Sequence, residues 1–261
     1  MTWDSFIYFS LGSVFLWVIS DIIAYTSRKK TIPILFRIAG LLLFSIFIAG
    51  LWASLERPPL RTMGETRLWY SFFLPLAGLL TYLRWDYKWI LPSTTLLSLV
   101  FIIVNIANPD IHNKVLIPAL QSPWFAPHVI IYMFSYALLG AGTLIAVYYL
   151  LKEKQISNTN RIMNMTDNIV YAGFACITLG MLMGAIWAKE AWGHYWSWDP
   201  KETWAAATWL GYLVYIHYRL KKRSSNRTSM IILIIAFVLL QICWYGVNYL
   251  PSAQQSIHTY S

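Results

Sequence analysis

The sequence predicts an all-α polytopic membrane bundle of about eight transmembrane helices, and three observations carry that prediction. Of 261 residues, 58% are hydrophobic and only 12% charged, with a mean hydropathy of +0.52, whereas a soluble domain carries roughly a quarter charged residues. Nearly the whole chain divides into apolar stretches close to the roughly 20 residues a helix needs to cross the hydrocarbon core. The basic residues also alternate: 14 of the 20 Lys and Arg fall on one face when successive loops are assigned to opposite sides, the bias that keeps positive loops cytoplasmic. A water-soluble domain is excluded.

The first run, Phe6–Tyr25, lacks the charged start and small-residue cleavage site of a signal peptide, so it reads as a retained helix. Arg28, Lys29 and Lys30 then mark an inner loop, and Ile32–Leu55 returns the chain to the outer face. Leu68–Leu83 is a short third span, followed by Arg84 and Lys88 inside and by Trp89–Ala107 as the fourth. After an outer loop containing His112, Val129–Leu151 forms the fifth span. Lys152–Asn168 reads as the one long polar inner loop, dividing five spans from three. Ile169–Ala188, the short Thr203–Tyr218 and Ser229–Leu250 complete the eight, with Arg219, Lys221, Lys222, Arg223 and Arg227 in the last inner loop. Both termini are then extracytoplasmic. No internal repeat is legible, and residues 1–261 are expected to form a single integral membrane domain. The net charge of +9 follows from topology, since the basic residues are dispersed over short inner loops; nucleic acid is not implied. Cys176 and Cys243 stand singly in apolar runs, as core residues and not as a disulfide or thiol redox motif.

The outer loop between the sixth and seventh spans is the chemical centre of the sequence. Six of the fourteen tryptophans, Trp187, Trp192, Trp196, Trp198, Trp204 and Trp209, fall within 23 residues. Asp199-Pro200-Lys201-Glu202 is a helix start: Asp as N-cap, Pro at the first helical position, and Glu reaching back to the cap N–H. Upstream, the four-residue spacing of Trp192 and Trp196 predicts a short interfacial helix with both indoles on one side, next to Trp198, as a flat aromatic shelf. An interfacial belt accounts for any one of these tryptophans, but a belt needs only one or two aromatics per helix end. So much rigid planar surface beside Gly193 and Ser197 points to a planar amphipathic ligand, with a porphyrin as the natural candidate.

Histidines decide what that ligand contains, because haem iron takes neutral imidazole axially. Of the five, His112, His128, His194 and His258 face outward and His217 lies at an inner end. His128, at the mouth of the fifth span in Pro123-Trp-Phe-Ala-Pro-His128, and His258, beyond the last span, bracket the tryptophan-rich loop and share its face. Each alone reads as a polar residue at a wet helix end; together with the aromatic cluster they read as axial ligands. His194 is a weaker third candidate, and His112 reads as merely solvated. Arg57, Arg61, Arg67, Lys189 and Lys201 are the outer cations available for ligand carboxylates or lipid headgroups.

Trp192-Gly-His-Tyr-Trp-Ser-Trp-Asp-Pro-Lys-Glu-Thr-Trp204 resembles the tryptophan-rich WWD signature of the cytochrome c biogenesis proteins. Pro118-Ala-Leu-Gln-Ser-Pro-Trp124 with His128 resembles the CcsA (System II, ResC-like) branch of that family. Arg57-Pro-Pro-Leu-Arg-Thr-Met-Gly-Glu65, Tyr245-Gly-Val-Asn-Tyr-Leu250 and His258-Thr-Tyr260 extend the resemblance over residues 56–261, with the WWD loop at 187–204. It implies a haem-handling subunit of the cytochrome c synthase machinery in the cytoplasmic (inner) membrane, working with a CcsB/ResB-type membrane partner. Such a subunit presents haem b, its substrate, at the outer face for attachment to the C-x-x-C-H cysteines of apocytochrome c. The same resemblance implies His128 and His258 as the axial ligands, with Trp192, Trp196, Trp198, Asp199 and Trp204 of the signature around the haem. The family also carries haem-binding histidines inside the membrane, and the first six spans here hold none at mid-depth. The alternative is a haem exporter of the CcmC kind, which leaves bond formation to another protein. An electron-transferring dihaem subunit would need histidine pairs on facing helices, and the sequence has none.

Overall fold

The computed structural model describes residues 1–108, 122–221 and 225–251. His112, His258, residues 118–121 of the proline-tryptophan motif and residues 258–260 lie outside them. The described residues form eight α-helices and no strand: α1 (Phe6–Thr26), α2 (Thr31–Leu55), α3 (Met63–Trp85), α4 (Ile90–Ala107), α5 (Phe125–Lys152), α6 (Thr159–Trp192), α7 (Pro200–Leu220) and α8 (Asn226–Trp244). Six of them are long and apolar enough to cross a membrane; α3 and α7, the two that read as short from sequence, are long enough but more polar. The protein is a polytopic helical membrane protein.

The helices group into two compact units, α1–α4 and α5–α8. Within the first, α1 packs on α2 and α4, and α3 packs on α4 and α2. The second closes in the same order: α5 on α6 and α8, α7 on α8 and α6.

The first unit is held by an aromatic core and a buried ion network. Phe6, Trp17, Phe44 and Phe47 are buried together between α1 and α2. Arg37 lies fully buried in α2. Its five N–H groups are all used. Nε donates to the Pro75 carbonyl; Nη1 donates to Asp21 and Thr95, and Nη2 to Thr94 and the Leu91 carbonyl, over 2.6 to 3.3 Å. One guanidinium therefore joins all four helices. Pro75 lacks the N–H that would bond the carbonyl of residue 71, and the Ser98 hydroxyl supplies it at 2.6 Å. The proline is thereby tolerated inside α3.

Two differences from the sequence reading bear on the second unit. Lys152–Asn168 is not a long loop: α6 begins at Thr159, capped by the Asn158 side chain, because Asn here serves as an N-cap rather than as a marker of irregular chain. The last helix stops at Trp244, and a 3-10 turn spans Gly246–Tyr249 in place of the final turns expected up to Leu250.

Candidate functional site

The site is built at the end of the second unit where α5 and α7 begin and α6 and α8 finish. α6 carries its helical run through Trp192 and is stopped by Gly193, whose φ of +86° is the left-handed cap that glycine adopts without strain. The expected short interfacial helix joining Trp192 to Trp196 is therefore not formed: Trp192 is the last residue of α6, and Trp196 lies in irregular chain before α7. The shelf is not flat either. Trp192 meets Trp187 edge-on at 4.9 Å, and Trp196 meets Trp198 edge-on at 5.8 Å with planes 85° apart. Edge-to-face contact is the ordinary preference of aromatic quadrupoles packed without a plate between them.

The helix start predicted at Asp199 is present. The Asp199 side chain accepts from the Lys201 N–H at 2.9 Å, and Pro200 occupies the first helical position. Glu202 accepts from the backbone N–H of Ser197 at 2.7 Å and of Asp199 at 3.2 Å, and from the Ser197 hydroxyl at 3.3 Å. Asp199 and Glu202 are both buried, so this carboxylate fixes the path of the loop. Between its two anchor points sits Trp198, a non-glycine residue with φ of +61° that is 72% exposed. Non-glycine residues in that region carry strain of order 1–3 kcal/mol and persist only where the surroundings over-determine them. Trp196, half-buried beside it, has an indole N–H that is itself buried and donates to no described group. Trp204 is half-buried one turn into α7, and Trp209 reaches back to the Thr178 hydroxyl on α6 at 2.9 Å.

His128 occupies the first turn of α5, half-buried, with Nδ1 at 2.8 Å from the Gly180 carbonyl of α6. Its ring meets Tyr132 at 4.7 Å and Trp187 at 5.6 Å. Tyr132 continues to Tyr136, Tyr136 to Trp244 and Trp244 to Tyr245. An unbroken aromatic path thus runs from Trp192 at the end of α6, through His128, to the end of α8. The structure brings His128 and Trp192 together through Trp187. It pairs Trp196 with Trp198 on the strained loop. His194 is exposed just after Gly193 and His217 is exposed in the last turns of α7. Among the cations, Lys189 donates to the Gly193 carbonyl at 2.7 Å, and Arg57 is committed to both oxygens of Glu65. Arg61 lies in the same loop; burial first, and then the neighbouring Arg57 charge, hold its guanidinium below the usual arginine range, with Glu65 opposing them.

The family profile described as cytochrome C assembly protein matches residues 5–254. This chain belongs to that family. The match takes in α1 and α2, ahead of the point near Glu56 from which the sequence resemblance was legible, and it ends before His258. Relatives named cytochrome c biogenesis protein CcsA include one from Mesostigma viride, 38% identical over 57% of this chain and 58% of that protein. One from Chlamydomonas reinhardtii is 40% identical over 56% of this chain and 42% of that protein. One from Cuscuta reflexa is 31% identical over 80% of each. The matched region thus spans about half the length of the first two relatives and most of the third.

Sequence reasoning missed the part of the candidate site that lies below the loop. Tyr132 and Tyr136 follow His128 at four-residue steps on α5, and Gly180 and Gly184 stand four apart on the facing side of α6. Both periodicities were legible as single helix faces, but inside uniformly apolar runs they carry no contrast against lipid-facing positions.

Proposed function

We propose that this protein holds haem b at the extracytoplasmic face of the cytoplasmic membrane, as a subunit of a cytochrome c synthase, and offers its vinyl groups to the cysteines of apocytochrome c. The observation that carries the reading is His128: an imidazole at the mouth of a helix bundle, set by a backbone carbonyl, lined by tryptophan and tyrosine, in a chain of the cytochrome c assembly family. His258 is proposed as the second axial ligand. Trp192, Trp196, Trp198, Asp199 and Trp204 are proposed as the haem-facing residues of the loop, with the Trp196 N–H, which donates to no described group, available to a propionate oxygen. The concentration of basic residues in the loops of the opposite face supports an outward orientation for this one. Relatives named for cytochrome c biogenesis support the same assignment.

The chemistry is mainly positioning. In thioether formation the cysteine S–H adds across a vinyl C=C: sulfur bonds to one carbon, the proton goes to the other, and nothing is oxidised or reduced. Holding the vinyl edge at the loop and the thiol beside it converts a slow bimolecular addition into an effectively unimolecular one. The histidine of the C-x-x-C-H motif then displaces a protein imidazole and releases the product. A CcsB/ResB-type membrane protein is the proposed partner. The test is expression of this chain with that partner in a host lacking its own cytochrome c maturation genes, followed by covalent haem staining of a reporter. A covalent product supports the synthase reading; haem bound outside with no covalent product would replace it with export.

A further inference from the structure

α5 and α6 approach closely around His128, and the closeness depends on missing side chains. A Cβ placed on Gly184 would lie 2.6 Å from His128 Cε1 and 2.8 Å from Nδ1. A Cβ on Gly180 would lie 2.7 and 2.8 Å from the Tyr132 ring. Ordinary side-chain carbons do not approach to such distances, so the imidazole lies directly on the backbone of α6. The same approach brings the Gly180 carbonyl to Nδ1 at 2.8 Å. A carbonyl only accepts, so Nδ1 carries the proton, and in a neutral imidazole Nε2 then carries the lone pair.

We infer that Gly180 and Gly184 are the positioning residues of the haem ligand: Gly184 gives His128 its seat, and the Gly180 carbonyl fixes the tautomer that presents Nε2 to iron. The inference rests on the proposed ligation by His128 and adds to it how the ligand is held. A carbonyl that accepts from the far ring nitrogen is a usual means of orienting a metal-binding histidine and raising its basicity. Here the acceptor comes from a helix backbone exposed by a small residue, which no side-chain substitution elsewhere can replace.

The experiment uses the full chain with its partner in membranes of a host without its own maturation genes. It reads protein level, the absorption spectrum of bound haem, and covalent staining of a reporter cytochrome. Gly184→Ala is compared with Gly173→Ala, because a Cβ on Gly173 lies as close to its neighbour, 2.7 Å from Leu139 in the same helix pair, without touching His128. Gly184→Ala is expected to retain protein at wild-type level, to shift the haem spectrum toward that of His128→Gly, and to lower covalent product at least tenfold. Gly173→Ala is expected to leave the spectrum unchanged whatever its effect on level. If added imidazole restores product in the Gly184→Ala, His128→Gly double variant to the level it gives in His128→Gly, the tethered ring is what the added methyl obstructs. A wild-type spectrum in Gly184→Ala, or the same spectral change in Gly173→Ala, would overturn the positioning role while leaving ligation intact. A wild-type spectrum in His128→Gly would overturn ligation itself.

Discussion

At the scale of single residues, Trp198 and Trp187 separate what a tryptophan contributes to the fold from what it contributes to the ligand. Trp187 is 4% exposed and touches Phe125, His128 and Trp192. Trp187→Ala should therefore lower stability by about 3–5 kcal/mol, as large-to-small core changes do, seen as an earlier melting transition in detergent. Trp198 is held in the left-handed region with its indole outward. Trp198→Gly should stabilise the protein by about 1 kcal/mol through relief of that strain, and should reduce retained haem. A fall in both quantities would make Trp198 a structural residue. The sequence marked Trp198 as one of a cluster, but only the backbone angle distinguishes it from its neighbours, because nothing in residue identity encodes a positive φ at tryptophan.

At the scale of helices and their ends, the features written in local chemistry were legible. Asp199-Pro-Lys-Glu202 reads as a cap, and the start of α7 lies there. Asp199→Ala is expected to cost about 1 kcal/mol of stability and to loosen the loop carrying Trp198, measured as melting temperature together with haem retention. In the sequence Gly193 reads only as a small residue beside the aromatics; its role in stopping α6 depends on how far the helical run upstream extends, and the four-residue spacing of Trp192 and Trp196 is misleading because it crosses that stop. The Arg37 network was not legible, since its partners come from three other helices. Asp21→Asn should cost about 3–5 kcal/mol by leaving a buried guanidinium without its counter-charge. The double variant Asp21→Asn, Arg37→Met should recover part of that loss; an unfolding transition unmoved by Asp21→Asn would show the pair to be unimportant for stability.

At the scale of the whole molecule, the eight apolar runs carried the helix count because lipid demands closed backbone hydrogen bonding in every span. The grouping into α1–α4 and α5–α8 was not legible, since it arises from which helix faces pack, and those faces are apolar on all sides. Topology reporters fused after Ser157 should be active on the cytoplasmic side and those after Glu56 on the outer side, in keeping with the basic-loop bias; the reverse pattern would put the tryptophan loop on the wrong face for apocytochrome c. The central claim is that haem iron is taken at that face by His128, with His258 opposite. Its most direct measurement is the haem spectrum and covalent haem staining of His128→Gly and His258→Gly, each with and without added imidazole. Ligation predicts an altered spectrum and lost cytochrome maturation in both variants, partly restored by imidazole occupying the vacated axial position, with His112→Gly close to wild type. An unchanged spectrum and normal maturation in His128→Gly and His258→Gly would contradict it.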